Sequence, residues 1–384
     1  VAQVEVFSPH RPPLVRSRPR MLSGALVLCP AAALLGGRSA GMQPRANVVM
    51  SAGDPALILQ NKGGGHGEFG YHLALELAIK HGRPVTILHE GAGPNFKEAH
   101  RAYGDLDAAG VKVLWCEDLT DADACLSKLK GASFGSVIDN WSKSSEAISP
   151  YAEAAKDWGV STFAYVSSAG MYMPEKDSEG PITEDCPVKL TSQRQAEEKL
   201  AELGLPWTCF RPQYVYGPKQ GKSYLAYFFD RLTRGAPVPV PGAGDQMVTM
   251  THAADNAAMI SAAIDNEAAV GQVFNCATSA LITYDDLALL CASAAGVDSP
   301  RIVHYDPKAV APGSTKAIGF PFRETPFYVS VAKAKEVLGF RPKNVITQDI
   351  KWYYADNYVG VLLPLRTIRS RARCSSTSSY LNKL

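Results

Sequence analysis

Hydrophobic positions in the first half of the chain form short continuous runs, which alternate with stretches of helical periodicity. Continuous apolar runs between turn residues are typical of strands buried on both faces. They predict strands at Ala56–Gln60, Val85–His89, Val111–Cys116, Ser136–Asp139 and Phe163–Ser167. The periodic stretches predict helices at Tyr71–His81 and Ile148–Trp158. Such alternation predicts an α/β protein with a Rossmann-like, doubly wound parallel sheet and ligands at the strand carboxyl ends.

Three glycines follow the first predicted strand with the spacing G-x-x-G-x-x-G. Gly64 permits a tight turn, Gly67 lets the backbone approach a pyrophosphate, and Gly70 lets the next helix pack closely on the strand. A phosphate would bind the free N–H groups at the start of that helix. Because the pattern lies between a strand and a helix, it indicates a site for NAD or NADP.

An acidic residue ends the second predicted strand, twenty residues beyond Gly70. Glu90 is placed to accept a hydrogen bond from a ribose hydroxyl, and its charge would favour NAD over NADP. The alternative is a solvated acid at a strand end. Lys62, beside the glycines, could contact phosphate instead.

The composition is that of an ordinary soluble globular protein, with 46% hydrophobic and 20% charged residues among 384. This length suits one large domain with an appended lobe and tails. No apolar run is long enough to predict a membrane-spanning helix in the mature protein. The eight cysteines never form C-x-x-C, which predicts reduced, mostly buried thiols rather than disulfides or a zinc site.

Positive charge is concentrated at the two ends of the chain. Residues 1–49 and 366–384 each carry a net charge of +5, which leaves 28 basic and 36 acidic residues between them. An acidic central part argues against nucleic-acid binding, whose affinity comes mainly from cations on phosphates.

Both ends are predicted to lie outside the folded domain. Residues 1–50 contain a short apolar stretch, Leu22–Gly37, and then a basic, acid-free segment. This order resembles the two-part leader of proteins sent into plastids with extra membranes, and the alternative is a merely disordered tail. The serine- and arginine-rich residues 366–384 are predicted to be a disordered tail.

Several stretches resemble the extended short-chain dehydrogenase/reductases: Glu117–Asp121, Val166–Tyr172, Phe210–Pro218, Pro241–Asp245 and Thr251–Asp255. The resemblance covers about residues 54–358. It implies an NAD(P)-binding domain over 54–210 and a smaller C-terminal α/β substrate lobe over 211–358, interleaved with the sheet. It also implies that Asp118 approaches the adenine, that Ser168 replaces the family's catalytic Ser/Thr, and that Gln213 lies near the nicotinamide.

The family's general acid, a tyrosine one helical turn ahead of a lysine, is missing. The aligned positions hold Leu190 and Arg194, and no tyrosine occurs in Pro187–Leu203. Tyr172 and Lys176 have the right spacing, but Pro174 interrupts them, so we do not expect them to share a helical face.

A narrower resemblance, to the chloroplast stem-loop-binding proteins, rests on six stretches: Gly64–Gly67, Phe210–Tyr214, Tyr227–Arg231, Pro237–Gly242, Val273–Cys276 and Ile302–Lys308. The resemblance to these atypical members of the superfamily implies a plastid protein that binds RNA. It also implies a divalent-metal-dependent endoribonuclease activity and association with ribosomes or transcription complexes. No motif for the nuclease centre can be placed on this sequence.

Two groups of cations are candidates for RNA contact. The first group consists of Lys219, Lys222, Arg231 and Arg234, interleaved with Tyr224, Tyr227 and Phe228. We expect the aromatic residues instead to form the buried stripe of an amphipathic helix. The second group is explained equally well by a solvated helix face: Lys333, Lys335, Arg341 and Lys343.

The catalytic candidates are Ser168, Tyr172, Asp245 and His252, and no metal ligand is assigned. Mg²⁺ for RNA cleavage needs only one or two carboxylates, and the candidates are Glu184, Asp185, Asp245 and Asp255. We expect Asp255 and His252 to be structural, whereas His66 could contact cofactor or RNA.

Two other functions stay open at this point. The first is an NAD(P)-dependent epimerase, dehydratase or reductase acting on a nucleotide sugar, in which Ser168, Tyr172 and Tyr214 replace the missing pair. The second is a non-catalytic scaffold in a plastid assembly. The sequence decides neither whether the protein is an enzyme nor whether it forms a homo- or hetero-oligomer.

Overall fold

The computed structural model describes residues 53–61, 69–93, 103–174, 180–219, 223–310 and 318–362. A parallel sheet of seven strands forms the centre of the protein, in the order β11–β6–β5–β4–β1–β2–β3. Its strands are β1 Ala56–Gln60, β2 Val85–Glu90, β3 Lys112–Cys116, β4 Ser136–Asn140, β5 Thr162–Val166, β6 Trp207–Pro212 and β11 Gln272–Cys276. The strand order reverses between β1 and β4, which is where ligands bind in such sheets.

Helices cover both faces of this sheet and bury its apolar strands. One face carries α1 (Phe69–Leu75, continued as a π-helix to Lys80) and α7 (Ala253–Ala263), which pack on each other. The opposite face carries α3 (Ala122–Ser127), α4 (Ser145–Trp158) and α5 (Ser192–Glu202). Every residue of β1, β4 and β5 is buried, as expected for strands covered on both sides.

The five strands predicted from apolar runs are confirmed to within one residue at each end. The predicted helix from Ile148 begins earlier, at Ser145, because the Ser144 side chain accepts the Ala147 N–H and caps the helix. The first helix begins two residues before its predicted start, at Phe69. The leader, the C-terminal tail, Gly64, Gly67, Lys62, His66, Lys176 and Lys222 lie outside the described residues.

A third core cluster lies beyond the main sheet, in the second half of the chain. Three small sheets frame it: β7 (Val215–Tyr216) with β10 (Thr251–His252), β9 (Met247–Val248) with β12 (Ile282–Thr283), and β8 (Val238–Pro241) with β13 (Ile302–Tyr305). Its helices are α6 (Ala226–Leu232), α8 (Tyr284–Ala294) and α10 (Ile346–Trp352), the last continued as a π-helix to Leu362.

Two further elements complete the description: α2 (Gly104–Ala108) and α9 (Ala332–Val337). No helix in the described part of the chain is long and apolar enough to cross a bilayer.

The expectation of reduced thiols is wrong for one pair of cysteines. Cys116, at the end of β3, and Cys125, in α3, form a disulfide with a Cα–Cα distance of 5.6 Å. The fold brings them together because the chain turns sharply between strand and helix. Among the described cysteines the free ones are Cys186, Cys209, Cys276 and Cys291.

Candidate functional site

The crevice above β1 and β4 is built on a buried polar cluster. The side-chain oxygen of Gln60, the last residue of β1, accepts the Gly70 N–H at 3.2 Å and an Asn140 amide hydrogen at 2.7 Å. A Cβ at Gly70 would lie 2.4 Å from that oxygen and 2.9 Å from Cγ2 of Ile58. Position 70 therefore has no space for a side chain, in agreement with the close helix–strand approach expected of this glycine.

Glu90, at the end of β2, is half-buried rather than fully solvated. Its Oε1 accepts a hydrogen bond of 2.9 Å from Nε1 of Trp141, the first residue after β4. Because β1 lies between β4 and β2, this indole reaches across the carboxyl end of β1. The second carboxylate oxygen of Glu90, Oε2, has no hydrogen-bond partner within the described residues.

Asp118 follows β3 and is exposed at the edge of the same crevice. Its Oδ1 accepts hydrogen bonds from the Thr120 hydroxyl and backbone N–H at 2.7 and 2.8 Å, which lower the pKa of the carboxyl group. Leu119 beside it is fully buried, and its carbonyl accepts the Tyr151 hydroxyl at 2.7 Å.

Ser168 lines a pocket on the other side of the strand-order reversal, together with Gln213, Tyr214, Arg323 and Phe327. The Ser168 hydroxyl accepts the Gly170 N–H at 3.1 Å and caps a short 3₁₀ turn. The Arg323 guanidinium stacks on the Phe327 ring and donates to the Gly170 carbonyl at 2.7 Å. These contacts close the pocket around Ser168.

Gln213 is held by hydrogen bonds to the polypeptide itself. Its side-chain oxygen accepts the Thr249 hydroxyl at 2.7 Å and the Val329 N–H at 3.1 Å, and its amide donates to the Phe327 carbonyl. It therefore anchors the segment around Val329, and its predicted contact with a nicotinamide stays a prediction.

Tyr172 is fully buried, so its phenol does not face the crevice. The hydroxyl donates to Oδ1 of Asn275 at 2.7 Å, and the Arg211 guanidinium lies 5.0 Å from the ring centroid. Burial raises the pKa of Tyr172, although Arg211 opposes the effect. This environment does not suit a phenol that has to exchange a proton with a substrate.

The positions aligned with the family's tyrosine and lysine hold no acid–base pair. Leu190 is 72% exposed, and the Arg194 guanidinium is ion-paired with Glu197 at 3.0 Å and Glu198 at 3.1 Å. Neither of these two described positions therefore supplies a phenol or an amine for proton transfer.

A buried ion pair lies behind this region, and sequence reasoning missed it. Both guanidinium contacts from Arg211 to Glu197 are short, at 2.6 and 3.0 Å, and both side chains are almost fully buried. Burial alone would raise the pKa of Glu197, but the hydrogen bonds and charge of Arg211 outweigh it and hold the pKa below its usual value. The available signal was an acid in the apolar stripe of α5, between Ala196 and Leu200.

His252 and Asp255 have structural partners, as expected. Nδ1 of His252 accepts the Ala254 N–H at 3.1 Å and caps α7, and burial lowers the pKa of the imidazole. Both oxygens of Asp255 accept hydrogen bonds from the backbone of Lys343 and from Asn344.

No preformed metal centre occurs among the described residues, where no three His, Cys, Asp or Glu side chains are grouped to hold an ion. Asp185 and Asp245 are exposed. Glu184 is half-buried, its Oε1 accepts the Asn275 N–H at 2.8 Å, and burial raises the pKa of its carboxyl group.

The aromatic residues of the first group of RNA candidates pack in the core, which confirms the buried stripe. Tyr227, Phe228 and Phe229 are buried in the third core cluster. The Arg231 guanidinium stacks 3.7 Å from the Tyr227 ring centroid and donates to the Ile318 carbonyl at 2.8 Å. These aromatic rings cannot stack on RNA bases.

One member of the second group of cations, Lys335, lines an open groove beside α9. Lys335 donates to the Ser279 hydroxyl, and the Lys333 ammonium lies 5.4 Å from the Phe274 ring centroid. The groove encloses about 360 Å³. Its lining combines an apolar floor with hydroxyl groups: Pro181, Thr278, Ser279, Leu281, Tyr328, Val329, Ser330, Val331, Ala332 and Lys335.

Comparison with models of protein families identifies the family of this chain. A family model described as the NAD dependent epimerase/dehydratase family matches residues 63–277, more than half of the chain. The chain belongs to this family. The assignment agrees with the extended short-chain dehydrogenase/reductase architecture predicted from the sequence.

A curated relative and several solved structures resemble the chain over most of its length. The chain is 34% identical over 310 residues to the Chloroplast stem-loop binding protein of 41 kDa b, chloroplastic, of Arabidopsis thaliana, covering 78% of this chain and 79% of that protein.

Two solved structures share the fold at lower identity. An epimerase from Methanothermobacter thermautotrophicus has a TM-score of 0.62 and 18% identity, covering 82% of this chain and 95% of its own. A dTDP-glucose 4,6-dehydratase from Streptomyces venezuelae with NAD bound has a TM-score of 0.60 and 18% identity, covering 79% and 98%.

Family membership makes a nicotinamide dinucleotide the expected ligand of the crevice, and a bound one supplies hydride transfer. The second oxygen of Glu90 fits its ribose. The adenine end fits poorly, because the Trp141 indole packs against the Tyr151 ring there and the Tyr151 hydroxyl donates to the Leu119 carbonyl. Among the described residues, Leu190 and Arg194 stand where the acid–base pair of the nicotinamide end is expected.

Proposed function

We propose that this chain is a plastid RNA-binding protein that recognises stem-loop RNA and cleaves it in a divalent-metal-dependent reaction. The observation that carries the proposal is the 34% identity over 310 residues with the chloroplast stem-loop binding protein. The family resemblance extends it to association with ribosomes or transcription complexes.

The geometry of the crevice supports this proposal over a redox reaction. Leu190 and Arg194 stand where the pair that exchanges protons is expected, and Tyr172, behind Ser168, is buried. Tyr214 lines the pocket with Ser168, but its hydroxyl already accepts the Arg323 N–H at 3.1 Å. An epimerase or dehydratase of this fold needs proton exchange to accompany hydride transfer. The described part of the crevice therefore does not favour the family's usual chemistry.

The RNA contact has to be local, because the central part of the chain is acidic overall. We place it at the groove beside α9. Two lysines of α9 would hold phosphates, Lys335 in the groove lining and Lys333 two residues before it, and we call them the groove lysines. The partly exposed Tyr328 ring would stack on an unpaired base. Hydroxyl groups of Ser279 and Ser330 match the hydrogen-bonding character of a ribose 2′-OH.

Removing both groove lysines should weaken RNA binding and make it less dependent on salt. For Lys333→Ala combined with Lys335→Ala, we expect the slope of log affinity against log salt to fall by about 1.4 to 1.8, because two phosphate contacts are lost. Fluorescence anisotropy with a labelled stem-loop RNA at several salt concentrations measures this slope.

The matched control removes two exposed lysines elsewhere, Lys128→Ala with Lys130→Ala, and changes the net charge equally. It should leave the slope within error of the wild type. An unchanged slope in the groove variant, or an equal fall in the control, would contradict the assignment of the groove.

RNA cleavage should require Mg²⁺ and a carboxylate near the groove. Glu184 lies three residues beyond Pro181 of the groove lining, and the charge of Lys333 acts on its carboxyl group. We expect excess chelator to abolish cleavage and Mg²⁺ to restore it. Glu184→Gln should lower the single-turnover rate by about 100-fold with little change in RNA affinity.

The control for cleavage is Glu202→Gln, the same chemical change at an exposed position of α5. Cleavage that persists in chelator would refute metal dependence. A Glu184→Gln rate equal to that of the control would remove Glu184 from the proposed reaction.

A further inference from the structure

The indole of Trp141 occupies the centre of the adenosine side of the crevice. Trp141 follows the last residue of β4, and its side chain extends across the carboxyl end of β1. At the end of β2, Nε1 donates a 2.9 Å hydrogen bond to Glu90. In a doubly wound sheet this is the region that receives the adenosine half of a dinucleotide.

The indole lies in an apolar core cluster that also contains Leu119 and Tyr151. Tyr151 of α4 packs edge-on against it, with ring centroids 5.9 Å apart, and the Tyr151 hydroxyl is tied to the Leu119 carbonyl. Trp141 is only 6% exposed, and Leu119 is fully buried. At the adenine end Leu119 is thus buried, whereas the neighbouring Asp118 stays exposed.

The chemistry of the indole matches what a nucleoside would bring to this position. It is a flat bicyclic ring, like a purine, and it fits between apolar walls. Its N–H donates to the carboxylate that the fold uses to bind a ribose hydroxyl. The Trp141 side chain therefore occupies the position expected for the adenine base and donates a hydrogen bond to one carboxylate oxygen of Glu90.

We propose that Trp141 takes the place of the adenine base, so that any adenine nucleotide binds this crevice only by displacing the indole. The competition acts at the base. Wild-type protein then binds NAD⁺ and ADP-ribose weakly, and removal of the indole strengthens binding. This inference is independent of RNA binding.

Calorimetric titration of the full chain with ADP-ribose and NAD⁺ tests the competition. Trp141→Ala should bind ADP-ribose at least ten times more tightly than wild type. Trp141→Phe should bind at least three times more tightly, because phenylalanine is smaller and cannot donate to Glu90. Trp158→Ala, at the end of α4 where Trp158 packs on Phe134, is the control and should match wild type.

Tryptophan fluorescence gives a second readout in wild-type protein. Saturating ADP-ribose should move the emission to longer wavelength as the indole enters water, and Trp158→Phe should keep this shift while Trp141→Phe loses it. Equal or weaker binding by the Trp141 variants overturns the proposal, and so does the absence of measurable binding in all of them. If Trp141→Ala fails to fold, Trp141→Phe alone decides.

Discussion

Arg211→Met is expected to lower the free energy of unfolding by about 3 to 5 kcal/mol, because it leaves the Glu197 carboxylate buried without its main partner. Both groups are almost completely withdrawn from water and share two hydrogen bonds. Arg194 contacts the same carboxylate but is partly exposed, so it compensates only in part. Urea denaturation measures the loss.

The effect of Arg211→Met should depend on pH in a defined direction. In the wild type the pKa of Glu197 is lowered, so its contribution is present above the ordinary carboxyl pKa and is lost as pH falls through the folded pKa. In the variant, burial dominates and raises that pKa, so the carboxyl group becomes neutral at higher pH. The difference between the two proteins should therefore begin to narrow above the ordinary glutamate pKa of about 4.3 and keep narrowing as the pH falls below it.

The control for the ion pair is Lys199→Met, which removes a cation from an exposed pair with Glu202 at 3.6 Å. Lys199→Met should lower the free energy of unfolding by less than about 1 kcal/mol, as is usual for surface ion pairs. A loss of similar size in both variants would mean that burial of the Arg211 pair contributes nothing.

Gly70→Val is expected to destabilise the fold by about 2 to 4 kcal/mol, through overpacking and the loss of buried hydrogen bonds. The new side chain would meet Gln60 and Ile58, and Gln60 would have to release the Gly70 N–H or Asn140. Thermal and urea unfolding followed by circular dichroism report the change.

Gly104→Val makes the same substitution where the added Cβ meets nothing within 4 Å. Its effect should stay within about 0.5 kcal/mol. If Gly70→Val were as well tolerated, the helix would not need the close approach to β1 that the structure shows.

The sheet was predictable from the sequence because a strand covered on both faces needs an uninterrupted apolar run. Ala56–Gln60 and Thr162–Val166 are buried throughout, and the four-residue apolar run within each indicates this directly. The spacing of Gly70 from the strand was equally informative, since it reflects a local turn. These features depend on neighbouring residues alone.

Contacts between distant elements were not predictable in this way. Glu197 and Arg211 are charged residues whose pairing depends on how α5 packs on β6, and the bond between Trp141 and Glu90 joins two strands across a third. The disulfide of Cys116 and Cys125 joins residues only nine positions apart and depends on how the chain turns between β3 and α3. Hydrophobic periodicity carries no information about such partners.

The position of β11 has a consequence for synthesis of the protein. The ribosome synthesises β11 more than fifty residues after β6, yet β11 pairs with β6 and completes that edge of the sheet. Until the ribosome has released Cys276, β6 presents an open edge of unpaired amide and carbonyl groups, which invites pairing with another chain. Sheet completion therefore occurs late, and nascent chains that stall before this point are at risk of aggregation.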